Sequence, residues 1–118
     1  MNTSTNLRQG FRSRVVLYSA IAIPIAAWMA HLGLTASLAH ESCTRSSVTW
    51  IMHALTAGLG LVCVGCGLIG FAAYRRAPEG TEGTARRFLG GFVVAVAIAN
   101  LVLILWEGSY TVALSPCR

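Results

Sequence analysis

The chain has 118 residues, of which 55% are hydrophobic and 11% are charged, and its formal net charge is +5. This length favours a single domain. All nine cations are arginines, and most lie beside long apolar stretches. That placement argues against nucleic-acid binding and for contact with anionic lipid headgroups.

Three stretches without a charged residue dominate the sequence, at 15–38, 50–74 and 88–106. Each has at least 19 residues, enough for a helix to cross a hydrocarbon core of about 30 Å. They do not alternate as the strands of a membrane barrel do. We therefore expect one all-α, polytopic membrane domain over residues 1–118, with transmembrane helices at about 14–38, 50–74 and 87–107.

The arginines predict the orientation. Seven of the nine precede the first span or lie between the second and third: Arg8, Arg12, Arg14, Arg75, Arg76, Arg86 and Arg87. By the positive-inside rule we expect the N-terminus inside and the C-terminus outside. The first apolar run is too long for a typical cleaved signal peptide, so we expect it to stay as a signal anchor.

In chain order, residues 1–14 are expected to form a short disordered or interfacial lead. The first helix then extends from about Ser13 to Ala39 and is kinked at Pro24. An outward loop at 40–49 offers Ser46, Ser47 and Thr49 as caps for the second helix. A flexible turn at 75–87 leads to the third helix, which we expect to stop near Gly108.

Small residues recur along the second span, and small faces let membrane helices approach closely. Gly60 and Gly67 are seven residues apart and lie on one stripe. Asn100, on the third span, is the polar residue predicted to take part in helix packing.

His31 and His53 lie at similar depth on antiparallel helices. Such a pair suits two-histidine haem ligation or a copper site. Alternatively, the two rings hydrogen-bond to each other, to Asn100, to a backbone carbonyl or to a neighbouring subunit. Glu107 is expected to be solvated at the interface, or paired with Arg45 or Arg118.

The four cysteines form two pairs. Cys43 and Cys117 both fall on the predicted outer side, where a disulfide between them is allowed. Cys63 and Cys66 have the spacing of a redox motif but lie in the middle of a span, so we interpret them as small packing residues. No arrangement of nucleophile, base and orienting group is present, and the chain is not expected to be an enzyme.

Four short motifs in a fixed order resemble those of a family of small three-span proteins. They are PIAAWMAHL at 24–32, WIMHALT at 50–56, RFLG at 87–90 and LSPC at 114–117, with Cys43 in the first loop. Genes of that family lie in clusters for caa3-type haem-copper cytochrome c oxidases of bacteria. The resemblance covers about residues 20–118 and supports the pairing of Cys43 with Cys117.

The resemblance implies association with a respiratory oxidase in the bacterial cytoplasmic (inner) membrane. The expected function is that of a non-catalytic accessory subunit, with larger membrane subunits and lipid as partners and no cofactor of its own. The alternative is a protein that binds haem b or copper through His31 and His53, for electron transfer or oxidase assembly. A transporter component is less favoured, because no span carries a charge at mid-membrane.

Overall fold

A computed structural model describes residues 3–113, and apart from short connections this part of the chain is helical. Helix α1 spans Thr3–Ala39, α2 spans Ser46–Arg75 and α3 spans Thr81–Ala113, with one 3-10 turn at Glu41–Cys43. All three helices are long and apolar enough to cross a membrane. The predicted all-α class with three transmembrane helices is therefore confirmed.

The helices extend beyond the hydrocarbon core. They have 37, 30 and 33 residues, which correspond to about 45–55 Å at the α-helical rise. The bundle measures 67 × 23 × 15 Å. Seven arginines lie at one end of the bundle, which we call the arginine end. Trp28, Trp50 and Trp106 lie in the half of the bundle nearer the opposite end, which we call the tryptophan end.

Three predicted helix boundaries were wrong. Helix α1 begins at Thr3, because no proline interrupts residues 3–14 and Gly10 is tolerated within the helix. Helix α2 begins at Ser46 with Arg45 in the N-cap position, where the arginine side chain, which has no hydrogen-bond acceptor, makes no cap hydrogen bond. Helix α3 continues past Gly108 to Ala113, because that glycine keeps a helical conformation and serves a contact described below.

The turn between α2 and α3 depends on one glycine. Gly80 has φ = +104°, a conformation that side-chain-bearing residues rarely adopt. Its carbonyl accepts a hydrogen bond from the Thr84 amide, which closes the first turn of α3. The turn thus reverses the chain within a few residues and makes α2 and α3 antiparallel neighbours.

The core consists of two clusters of small and branched residues. Towards the arginine end, Leu17 and Ala20 pack against Cys66 and Val93. Further along, Ala27 packs with Cys63 and Ile104. Both cysteines are buried and free, which agrees with the packing role that we inferred from their place in the span.

Helices α2 and α3 approach each other closely where Gly70 faces Gly90. A Cβ atom added at Gly90 would lie 2.7 Å from the Gly70 carbonyl oxygen and 2.9 Å from the Tyr74 nitrogen. The backbones themselves are therefore in contact, as small residues allow in membrane helices. Gly60 and Gly67 face the same helix with more room, because an added Cβ atom would lie 3.4 Å from Leu101 Cδ1 at Gly60 and 3.4 Å from Ala97 Cβ at Gly67.

Candidate functional site: a polar cluster joining three helices

His31 is completely buried between the helices, close to the tryptophan end. Its Nε2 lies 2.9 Å from Thr56 Oγ1 on α2, and its Nδ1 lies 3.2 Å from Glu107 Oε2 on α3. One imidazole ring from α1 thus contacts both other helices through its two nitrogens. We call His31, Thr56, Glu107 and Trp28 the polar cluster.

Trp28 and Met52 supply the remaining hydrogen bonds. Trp28, one turn before His31, donates its indole N–H to Glu107 Oε1 at 3.0 Å. The Thr56 hydroxyl donates to the Met52 carbonyl of its own helix at 3.0 Å. Both carboxylate oxygens and both imidazole nitrogens therefore have partners.

The Thr56 hydroxyl oxygen lies within hydrogen-bond distance of both the Met52 carbonyl and His31 Nε2. When its proton is donated to Met52, the oxygen accepts from Nε2–H, and Nδ1 shares a proton with Glu107. When its proton is donated to Nε2, the ring instead donates Nδ1–H to the Glu107 carboxylate. His31 joins α2 to α3 in both arrangements.

Gly108 allows α3 to approach α2 beside this cluster. A Cβ at that position would lie 2.7 Å from Thr56 Cγ2 and 3.1 Å from its hydroxyl oxygen. Any larger residue would push against the threonine that holds His31. The glycine is therefore required by the contact and does not end the helix.

The partners of Glu107 and His31 differ from those predicted. The Glu107 side chain is 24% exposed and is bonded within the bundle, so the expectation that it is solvated or paired with Arg45 was wrong. Arg118, the other predicted partner, lies outside the described residues. His31 bonds to neither His53 nor Asn100. The Asn100 amide donates to the Val96 carbonyl one turn earlier, at 2.8 Å.

His53 lies apart from the polar cluster. It is partly buried, one turn before Thr56, and within residues 3–113 no hydrogen bond involves its ring. In the same part of the chain, no group of three or more potential ligands is placed to hold a metal ion. Ligation of haem or copper by His31 would require it to give up a hydrogen bond that joins two helices.

Sequence reasoning identified His31 and missed the roles of Thr56 and Trp28. The spacing of Trp28 and His31, three residues apart on one face of α1, indicated that the two side chains could share a partner. Their common partner, Glu107, could not be inferred, because it lies 76 residues from His31 in sequence.

Only one of the two cysteines of the predicted disulfide lies within the described residues. Cys43 ends the 3-10 turn between α1 and α2 and is exposed. Cys117 lies outside the described residues. Pairing of the two stays a prediction.

No protein-family model, curated protein or solved structure matches the chain. The function is therefore inferred from the polar cluster and from the surfaces of the three helices.

Proposed function

We propose that this chain is a non-catalytic accessory subunit of a membrane complex, and that it acts by packing against larger subunits. The polar cluster supports this interpretation because each polar atom of His31 and Glu107 is used to join helices. Such a cluster fixes the relative positions of α1, α2 and α3. It offers no unengaged base or ligand for chemistry.

The observation that carries the proposal is an exposed face of α2. Ala54, Gly58, Leu61, Gly65 and Leu68 lie on one stripe that points away from α1 and α3. A Cβ at Gly58 or Gly65 would meet no atom within 4 Å. Small residues separated by two turns, with no neighbour inside the chain, suit close approach by a helix of another subunit.

Most of the surface of the spans is also available to partners. Between 22% and 28% of the residues in each apolar window are buried within the chain. The remainder contacts lipid or another protein. In a complex, the exposed α2 face would be covered by a partner helix and the other faces by lipid.

The partner we propose is a bacterial haem-copper cytochrome c oxidase or its supercomplex, in the cytoplasmic membrane. This choice rests on the resemblance of the motifs at 24–32, 50–56, 87–90 and 114–117. Positive-inside arginines support an orientation with the arginine end in the cytoplasm. The role would be in assembly or stability of the oxidase.

Co-purification tests the proposal. Tagged protein is extracted from native membranes in mild detergent and separated on a native gel, and haem absorbance locates the oxidase. We expect the tagged chain to co-migrate with the oxidase. If the chain never co-migrates with it, the proposed partner is wrong.

A pair of variants tests the exposed α2 face. Gly65→Leu adds a bulky side chain to that face, and Gly33→Leu makes the same change at an exposed glycine on α1 that also has nothing within 4 Å. We expect Gly65→Leu to abolish co-migration and Gly33→Leu to preserve it. Equal behaviour of the two would exclude this face as the contact.

Haem or copper binding through His31 and His53 is the alternative function. The hydrogen bonds of His31 argue against it, because both ring nitrogens are engaged. A reduced-minus-oxidised spectrum and a metal analysis of the isolated protein separate the two functions. Haem or stoichiometric copper in that sample would favour the alternative.

A further inference from the structure

A groove opens between α1 and α2 at the arginine end, far from the polar cluster. Its volume is about 560 Å³, within the range typical of small-molecule sites. Three arginines line it: Arg12 of α1, Arg76 immediately after the end of α2, and Arg86 of α3. Gln9 and Ser13 are the other polar residues of its wall.

The floor of the groove is apolar and lies deeper along the helices. Val16 is one turn beyond Arg12 on α1, and Ile69 is two turns before Arg76 on α2. At the α-helical rise these offsets are about 6 Å and about 10 Å. Positive charge at the mouth thus gives way to hydrocarbon-like surface in the direction of the membrane interior.

The arginines form a positively charged mouth that is partly fixed in place. Arg86 Nη2 donates to Ser13 Oγ at 3.1 Å, which joins α3 to α1. A guanidinium has five N–H donors, so others can serve a ligand. The nearby acidic residues, Glu79 in the connection and Glu82 in the first turn of α3, do not line the groove.

We propose that this groove binds one anionic phospholipid. The phosphate lies among Arg12, Arg76 and Arg86, and an acyl chain follows Val16, Leu17 and Ile69. A phospholipid presents charge and hydrocarbon in the same order as the groove does. Basic pockets between transmembrane helices recognise anionic headgroups in this way. The inference does not depend on which complex the chain joins.

The experiment compares two triple variants with the same loss of charge. The groove variant replaces the three lining arginines: Arg12→Gln, Arg76→Gln and Arg86→Gln. The control variant replaces a near neighbour of each, outside the groove: Arg14→Gln, Arg75→Gln and Arg87→Gln. Each protein is titrated with phosphatidylglycerol or with phosphatidylcholine in detergent, and bound lipid is counted by native mass spectrometry.

We expect the unaltered protein to retain one phosphatidylglycerol in preference to phosphatidylcholine. Each arginine near an anionic headgroup contributes about a fivefold change in affinity, so the groove variant should bind roughly a hundredfold more weakly. The control variant should keep its preference. A double variant, Arg12→Gln with Arg76→Gln, leaves the Arg86–Ser13 hydrogen bond intact, and its affinity for phosphatidylglycerol should fall about 25-fold. Because this variant keeps the bond that joins α3 to α1, its weaker binding cannot be attributed to loss of that bond.

Several results would overturn the proposal. Equal losses in the two triple variants would mean that the surface attracts lipid through its total charge alone. Equal retention of the two lipids would exclude recognition of an anionic headgroup. Displacement of the lipid by an equimolar amount of soluble glycerol phosphate would show that the groove takes a free anion and that the apolar floor contributes nothing.

Discussion

Gly90→Ala tests the close approach of α2 and α3. The added methyl would lie 2.7 Å from the Gly70 carbonyl oxygen, 2.9 Å from the Tyr74 nitrogen and 3.3 Å from the Tyr74 Cα. All three are backbone atoms, so no side-chain rotation relieves the contact. To restore an ordinary separation of 3.4 Å from the oxygen, α3 must move by about 0.7 Å. Overpacking of this kind typically costs about 1–3 kcal/mol.

The neighbouring glycine provides the control. A methyl at Gly91 would meet its nearest atom, Tyr74 Cδ2, at 3.9 Å. Gly→Ala also favours a helix by up to about 1 kcal/mol, and this gain is common to the two variants. Comparing Gly90→Ala with Gly91→Ala therefore isolates the steric cost.

The assay is reversible unfolding by SDS in mixed micelles, followed by tryptophan fluorescence. We expect Gly90→Ala to be less stable than Gly91→Ala by about 1–3 kcal/mol. The apparent free energy of unfolding is compared at a common SDS fraction. If the two variants are equally stable, the helices do not approach as closely as the structure shows.

Three further predictions concern the tryptophan end. Trp28→Phe removes one interhelical donor and should lower the free energy of unfolding by about 0.6–1.7 kcal/mol in the same SDS titration, whereas an unchanged value would mean that the indole bond is not formed. Gly108→Ala should displace Thr56 and lower the free energy of unfolding by about 1–3 kcal/mol relative to Gly58→Ala. At Gly58 the added methyl group has no such neighbour within 4 Å, so equal stabilities of the two variants would contradict the contact of Gly108 with Thr56. Mass spectrometry of unreduced protein should show a cross-linked peptide that contains Cys43 and Cys117. The disulfide would stabilise the fold by at most about 4 kcal/mol. Alkylation of both thiols in native membranes would exclude it.

The existence of three helices could be predicted because it depends on local information. An apolar run of about twenty residues in lipid must satisfy its backbone hydrogen bonds within itself, so a helix follows directly from composition. The same argument gave the approximate span limits. It could not give the helix ends beyond the membrane, where α1 begins at Thr3 and α3 continues to Ala113.

The contacts between helices required information that the sequence does not contain locally. Whether Gly108 ends a helix or admits Thr56 depends on the register of α3 against α2. The same register decides that Glu107 reaches His31, whereas Asn100, two turns earlier, bonds to its own helix. Spacing along one helix identified polar residues on a shared face, but it could not pair them across helices.

The central claim is that the buried His31 joins helices through Glu107. A double-mutant cycle measures that bond most directly, with His31→Leu, Glu107→Met and the double variant unfolded in the SDS assay. The account predicts that each single variant is destabilised and that the double variant loses less than the sum, with a coupling energy of about 0.6–1.7 kcal/mol. Strictly additive losses would contradict the claim.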